Sequence, residues 1–146
     1  MGFQDLTPQE IELVLEKERV VRVAFSAHGE QFLVPVFFVF DDGDLCGLTT
    51  PGRKTRLAEA NPLVAFQVDS TYVTGPWEWA SVSGQGTFSR VADPKVFGPF
   101  AARLRAKLDD SPEWAATMLQ ERFERLGIYA WRITISEISG RAHGPD

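Results

Sequence analysis

The sequence predicts a mainly β protein with helical additions, in which six antiparallel strands close into a barrel. Six segments carry alternating or continuous apolar residues over strand-like lengths, and turn signals such as Asp41-Asp42-Gly43-Asp44 separate them. Helix signals fall near the N-terminus, in the middle of the chain and before the last strand. A closed sheet has no exposed edges, which favours a barrel over an open sheet.

Composition indicates one globular domain over residues 1–146. The chain is 44% hydrophobic, with eleven Phe and four Trp, which argues against disorder. A net charge of −5 disfavours nucleic-acid binding, and no apolar run reaches the roughly 18 residues that a membrane span needs. The first residues lack the regions of a signal peptide, and the single cysteine, Cys46, fits a reducing compartment. We therefore expect a cytoplasmic protein.

The first part of the chain predicts a helix and three strands. Within residues 1–18, Thr7 is a suitable N-cap, with proline next and glutamate three residues on. Arg19 to Ser26 alternates as a strand does, and His28-Gly29 predicts a turn. Gln31 to Phe40 indicates one long apolar strand interrupted by Pro35, and the Asp-Asp-Gly turn leads into the strand Leu45–Thr50.

The segment that follows is the most informative part of the sequence. From Leu45 to Ala58 there are three cations and no acid. Thr49 and Thr50 end a strand, and Arg53 and Lys54 open a short helix, so hydroxyls, cations and free N–H groups meet as they do in phosphate sites. The alternative is a solvated first turn that is basic by chance, although cations there oppose the helix dipole.

A second set of strands and helices completes the chain. Asn61-Pro62 stops the short helix before the strand Leu63–Asp69, and Tyr72–Pro76 indicates a loop. Trp77 to Val91 predicts a long strand, in which Gly84 and Gly86 indicate a bulge or a close approach by another backbone or a ligand.

Residues 93–126 predict a helical insertion. Its first helix breaks or restarts at Gly98-Pro99, and Ser111-Pro112-Glu113 caps a second helix that ends at Leu126-Gly127. Tyr129 to Ile138 is the predicted closing strand, and residues 140–146 are expected to form a loose tail.

Several pieces of the sequence occur in a characteristic order. They are Val34 to Phe40, the Asp-Asp-Gly turn, the Thr-Thr strand end, Gly52-Arg53-Lys54, Asn61 to Phe66, Trp77 to Val82 and Gly84-Gln85-Gly86. This order resembles the pyridoxamine 5′-phosphate oxidase-like split-barrel flavoproteins, over roughly residues 7–92 and the last strand. The resemblance implies a six-stranded split β-barrel and a homodimer with FMN in clefts at the subunit interface.

The resemblance also implies which residues would bind FMN. The Arg53 and Lys54 side chains would bind the phosphate, and Thr49 and Thr50 would donate hydrogen bonds to phosphate or ribityl oxygens. Three residues would lie against the isoalloxazine ring: Val34, Pro35 and Val36. Without the family context, an edge strand is the favoured explanation of Pro35. Arg56, one helical turn after Arg53, is expected to be solvated.

Two tryptophans, Trp77 and Trp79, share a strand face with polar residues, which is unusual for core indoles. Tryptophan is enriched at interfaces, and the resemblance implies that this segment could reach the partner's flavin. Simple core packing is the alternative for each of them.

The remaining candidates are weaker, and no residue stands out as a catalytic acid or base. Cys46 is expected to be an inert apolar side chain, and Asp41, Asp42 and Asp44 are expected to be turn residues rather than metal ligands. His28 and His143 are isolated, so no metal site is predicted.

The resemblance leaves the substrate open. Arg141-Ala142-His143 has the letters of the substrate-gripping Arg-x-His of true pyridoxamine phosphate oxidases, but we expect it to follow the last strand, which argues against that substrate. The leading hypothesis is an FMN-dependent oxidoreductase acting on a small molecule, and F420 and haem are the alternative cofactors. The other hypothesis is a protein that binds or stores flavin, F420 or haem without turnover.

Overall fold

Strands and short helices alternate along residues 2–145, the part of the chain that this computed structural model describes. The strands are β1 (Gly2–Asp5), β2 (Val20–Ala27), β3 (Glu30–Phe37), β4 (Val39–Asp41), β5 (Asp44–Thr49), β6 (Leu63–Asp69), β7 (Trp79–Arg90) and β8 (Tyr129–Gly144). The helices are α1 (Pro8–Lys17), α2 (Arg53–Ala60), α3 (Thr71–Thr74), α4 (Pro94–Lys107) and α5 (Glu113–Leu126). Met1 and Asp146, the ends of the predicted first and last segments, lie outside the described residues.

The strands form one antiparallel sheet in the order β3-β2-β6-β7-β8-β5-β4, with β1 paired to β8. β3 and β4 stand at opposite ends of this order, yet Phe38 alone joins them in the chain. The sheet must therefore curl until its two ends meet, which gives a split barrel. The predicted mainly β, antiparallel split-barrel fold is confirmed.

The predicted turn at His28-Gly29 and the predicted helix cap at Thr7 are confirmed, and both depend on residues close together in the chain. His28 and Gly29 have positive φ angles of 52° and 77° between β2 and β3, as type I′ hairpin turns require. The N-cap at Thr7 forms the full capping box, in which its hydroxyl accepts from the Glu10 N–H and the Glu10 carboxylate accepts from the Thr7 N–H.

The strand count within the described residues is eight rather than the predicted six. The long strand Gln31–Phe40 is divided at Phe38, because the chain changes partner there: the Phe38 N–H still donates to the Arg19 carbonyl beside β2 at 3.1 Å, whereas Val39 pairs with Cys46 of β5. β1 was not predicted because its four residues are too few to show an alternating pattern. It exists because its backbone pairs with the end of β8.

The segment predicted as a loose tail from Gly140 is part of β8, which runs to Gly144. Its residue Ala142 lies opposite Gln4 of β1 on one side and Ala80 of β7 on the other. Arg141, Ala142 and His143 therefore lie within the last strand rather than after it, and that expectation was wrong.

The bulge predicted at Gly84 and Gly86 is confirmed. The register between β7 and β8 shifts between Gln85 and Gly86, and a side chain on Gly84 would overlap the backbone carbonyl of Glu137. Glycine at position 84 therefore allows two strands to approach closely.

Several local assignments differ from the prediction. β7 begins at Trp79, so Trp77 precedes the strand, and the loop Tyr72–Pro76 contains most of α3. α4 runs unbroken through Gly98-Pro99 despite the cost of an interior proline, because the burial of Phe100 and Leu104 directly after it anchors the helix. The N-cap of α5 is Pro112, without a side-chain hydrogen bond, so Ser111 does not cap it.

The main core fills the curl of the sheet. Its largest fully buried side chains include Trp131, Phe25, Leu15, Leu45 and Ile133. A smaller cluster lies on the outer side of β4, β5 and β8, where Phe100 and Leu104 anchor α4. Among the described residues, no helix is both long and apolar enough to cross a membrane.

Candidate functional site

The predicted phosphate segment lies where β5 ends and α2 begins. Thr50 is buried, with a relative exposure of 4%, whereas Thr49 is half-buried. The Thr55 hydroxyl accepts from the Gly52 N–H at 2.9 Å and lies 3.0 Å from the Gly52 carbonyl oxygen, to which it donates. This side chain closes the first turn of α2 and holds Arg53 and Lys54 at the strand end.

Arg53 is held by an acid that the local sequence does not contain. Its Nε donates to the Glu30 carboxylate at 2.6 Å, and its guanidinium lies 4.3 Å from the centre of the Phe32 ring. Arg56 also reaches the same carboxylate oxygen of Glu30, at 3.4 Å. The hydrogen bond from Arg53 is the main reason that the pKa of Glu30 is lowered. Arg56 is exposed as predicted, but it is paired with Glu30 rather than only solvated.

Lys54 is affected by a different charged group, Arg122 of α5. Lys54 is half-buried, and its pKa is lowered first by burial and then by the positive charge of Arg122. The Arg122 Nε donates to the Thr50 hydroxyl oxygen at 3.4 Å. Arg122 was missed by sequence reasoning, since it lies 72 residues from Thr50 on a helix surface where arginine is ordinary.

The predicted ring-binding residues Val34, Pro35 and Val36 lie on β3, an edge strand of the sheet. The two-residue turn between β2 and β3 is closed by a hydrogen-bonded pair, Ala27 and Glu30. Hydrogen-bonded and non-hydrogen-bonded pairs alternate along an antiparallel ladder. The backbone of Val34 and Val36 therefore bonds to β2, while that of Pro35 faces the free edge. Proline has no N–H to donate, but at the free edge Pro35 leaves no hydrogen bond of the sheet unformed. This agrees with the edge-strand explanation.

Trp77 and Trp79 lie at the other end of the barrel from α2. Trp79 stacks on His143 with ring centres 5.6 Å apart and also contacts Phe3, and the Trp77 carbonyl oxygen lies 2.5 Å from His143 Nδ1. The Trp77 indole is 78% exposed. Within one chain the structure does not bring either indole to Arg53, so only a second subunit could do so.

A groove of about 710 Å³ lies between α4, α5 and the seam where β3 faces β5. Much of its lining is apolar and includes Phe37, Leu48, Leu119 and Phe123. Leu119 and Phe123 flank Arg122 along α5, so the groove adjoins the cations described above. Its size is within the range of small-molecule sites.

The weaker candidates have structural partners. Arg132 binds the carboxylates of Asp41 at 2.8 Å and Asp44 at 3.2 Å, and Arg103 binds Asp41 as well. Burial raises the pKa of the Cys46 thiol to about 12, which makes it unreactive. Within residues 2–145, no group of three or more His, Cys, Asp or Glu side chains is placed to hold a metal ion.

Comparison with known families gives a clear result. The sequence profile described as pyridoxamine 5′-phosphate oxidase matches residues 7–142, most of the chain. The chain belongs to this family. The match extends through α4 and α5, so the pyridoxamine 5′-phosphate oxidase family covers the helical insertion as well as the barrel. No curated protein matches the sequence.

Solved structures of the same fold cover nearly the whole chain. A FAD-binding protein from Mesorhizobium loti is 27% identical, with 99% of this chain and 100% of that one covered and a TM-score of 0.77. A FAD binding protein from Mycobacterium smegmatis is 20% identical, with 97% and 100% covered and a TM-score of 0.67. A protein of unknown function from Corynebacterium diphtheriae is 23% identical, with 99% and 100% covered and a TM-score of 0.67. The last two likenesses bear on the fold alone.

Proposed function

We propose that this protein binds a flavin by its phosphate at the end of β5 and acts as a flavin-dependent oxidoreductase on a small molecule. The observation that carries the proposal is the group of hydroxyls and cations at Thr49, Thr50, Arg53 and Lys54, placed beside the free edge of β3 in a member of this family. A bound flavin would supply the redox chemistry, and the protein would supply binding and orientation.

The residues present fit such a cofactor at both ends. At one end, the half-buried Lys54 and the Thr50 hydroxyl offer a cation and a hydrogen-bonding group suited to a phosphate. At the other, the free edge of β3 leaves backbone groups of Leu33 and Pro35 without strand partners among the described residues. These groups would meet the polar edge of the ring, while the half-buried Val34 and Val36 side chains support the strand from within.

FMN is the flavin we propose, because a single phosphate matches a site at one strand end. The Mesorhizobium loti relative is a FAD-binding protein, so FAD is the first alternative. F420 is less favoured, because it has a polyanionic tail that needs further cations and the N-terminal helix is rich in acids. Haem is the remaining alternative.

We also propose a homodimer with the cofactor near the subunit interface. Large apolar side chains are exposed at several places, namely Leu33 on β3, Leu63 on β6, Trp77 before β7 and Trp114 on α5. Tryptophan is enriched at interfaces, and a second subunit could bring Trp77 and Trp79 near the β3 edge. Light scattering at micromolar concentration should give twice the mass of 16.3 kDa. A monomeric mass with flavin bound would contradict this proposal.

The binding proposal is tested by comparing FMN with riboflavin, which lacks the phosphate. Replacing both Arg53 and Lys54 with Ala should weaken FMN by at least about 100-fold, since each charge-assisted hydrogen bond contributes roughly 1.5–3 kcal/mol. Riboflavin binding should change little. Arg56→Ala, on the same helix, is the control and should have a smaller effect. Equal loss of both ligands in the double variant would refute the phosphate assignment.

Turnover separates an enzyme from a binding or storage protein. The visible spectrum of the purified protein identifies flavin or haem, and steady-state oxidation of NADH or NADPH tests for an oxidoreductase. A bound flavin that NADH and NADPH both fail to reduce would favour the binding protein.

A further inference from the structure

The cations around α2 fall into two groups with different charge balance. Arg53 and Arg56 share the Glu30 carboxylate, at 2.6 Å and 3.4 Å. Lys54 and Arg122 have no such partner, since among the described residues neither forms an ion pair with a carboxylate within 4.0 Å. Positive charge in excess is therefore concentrated at Lys54 and Arg122.

One member of this second group is partly removed from water, whereas Arg122 is exposed. Lys54 is half-buried, and the Thr50 hydroxyl between strand and helix is 4% exposed. Two like charges near one another destabilise each other, and the burial of Lys54 makes its repulsion by Arg122 stronger than it would be in water. An anion bound between them would remove the repulsion. The Thr50 oxygen accepts from Arg122, which leaves its O–H free to donate to such an anion.

We propose that Arg122 is a phosphate ligand, and that Thr50, Lys54 and Arg122 together bind the phosphate monoester of the flavin. The inference rests on the proposed function and adds to it a residue from the helical insertion. Two cations match the charge of a phosphate dianion, and the arginine fork suits two of its oxygens. In this arrangement Arg53, held by Glu30, supports the first turn of α2 and contributes less to the phosphate than Lys54 does.

Phosphate binding at this place would also connect α5 to the barrel. No residue of α5 is buried, and its contacts leave Trp114 and Met118 exposed. A ligand that bridges Arg122 on α5 and Lys54 on α2 would hold the insertion against the seam between β3 and β5. The groove lined by Leu119 and Phe123 would then be stabilised by the same ligand.

The test is Arg122→Gln, with Arg125→Gln as the matched control one turn along the same helix. FMN and riboflavin affinities are measured by quenching of flavin fluorescence. Arg122→Gln should weaken FMN by about 10- to 100-fold and leave riboflavin within about twofold, because only one charge-assisted contact is lost. Arg122→Lys should restore part of the FMN affinity, and Arg125→Gln should bind both flavins as the wild type does.

The outcomes separate this inference from the proposed function. If the wild type binds FMN more tightly than riboflavin and Arg122→Gln keeps the full difference, the role of Arg122 is overturned and the flavin proposal stands. If the wild type does not distinguish FMN from riboflavin, both proposals fail. Thermal melting without flavin shows that the variant is folded, and the extra rise in melting temperature that FMN gives over riboflavin should be smaller in Arg122→Gln than in the wild type.

Discussion

Lys107, the last residue of α4, has an ammonium group that is largely enclosed by the protein. Its Nζ donates to the carbonyls of Leu15 at 3.3 Å and Phe38 at 3.2 Å, and it lies 4.3 Å from the centre of the Phe38 ring. Burial lowers the pKa of Lys107 from 10.5 to about 8, although the charge of Glu18 opposes this. We predict that Lys107→Met removes a pH dependence that the wild-type stability shows between pH 8 and 10.5.

The sign follows from the protons that each state binds. In this range the unfolded chain keeps a proton on Lys107 that the folded protein has partly released, so the free energy of unfolding rises with pH. A pKa lowered from 10.5 to about 8 corresponds to at most about 3.4 kcal/mol. Because the ammonium keeps some contact with water, we expect about half of this, ~1.5 kcal/mol.

The assay is urea unfolding of both proteins at several pH values between 8 and 10.5. We expect the wild type to gain stability relative to Lys107→Met as the pH rises. The difference between their free energies of unfolding should increase by ~1.5 kcal/mol over this range. Lys95→Met, an exposed lysine near the start of the same helix, is the control and should follow the wild type. A difference between wild type and Lys107→Met that stays constant or falls with pH would refute the reasoning.

Three further predictions test the fold. Gly84→Ala should lower the free energy of unfolding by about 3 kcal/mol, because the new Cβ would overlap the Glu137 carbonyl. The control Gly98→Ala has open space around it and should not destabilise the protein, and thermal melting compares the two variants. Truncation after Ser139 removes backbone pairing with β1 and β7 and should lower the urea midpoint, and an unchanged midpoint would show that this segment contributes nothing. Cys46, with its pKa raised to about 12, should react with a thiol reagent only as the protein unfolds, so rapid labelling of the native protein would contradict its burial.

The features that the sequence predicted correctly depend on residues close together in the chain. The capping box at Thr7 needs only Glu10 three residues on, and the His28-Gly29 turn needs two residues that accept positive φ. The bulge at Gly84 was also visible, because a missing side chain in a strand signals close approach by another chain segment.

The features that the sequence did not show depend on a distant backbone. β1 and the end of β8 have no hydrophobic pattern of their own, and each is a strand because the other, together with β7, supplies hydrogen-bond partners. The division of the long strand at Phe38 likewise reflects a change of distant partner, since Phe38 bonds to Arg19 beside β2 and Val39 pairs with Cys46 of β5. Periodicity reports which side chains are buried, and it does not report which backbone groups find partners.

The same distinction between neighbouring and distant residues applies to the candidate site. The sequence by itself predicted Thr49, Thr50, Arg53 and Lys54 as candidates, because hydroxyls and cations at a strand-to-helix junction are neighbours in the chain. Only the tertiary structure decided that Glu30 engages Arg53, and that Arg122, 72 residues after Thr50, stands beside Lys54. The charge that a side chain offers to a ligand depends on every group brought near it in space, and this is set by how the strands curl and where α5 packs.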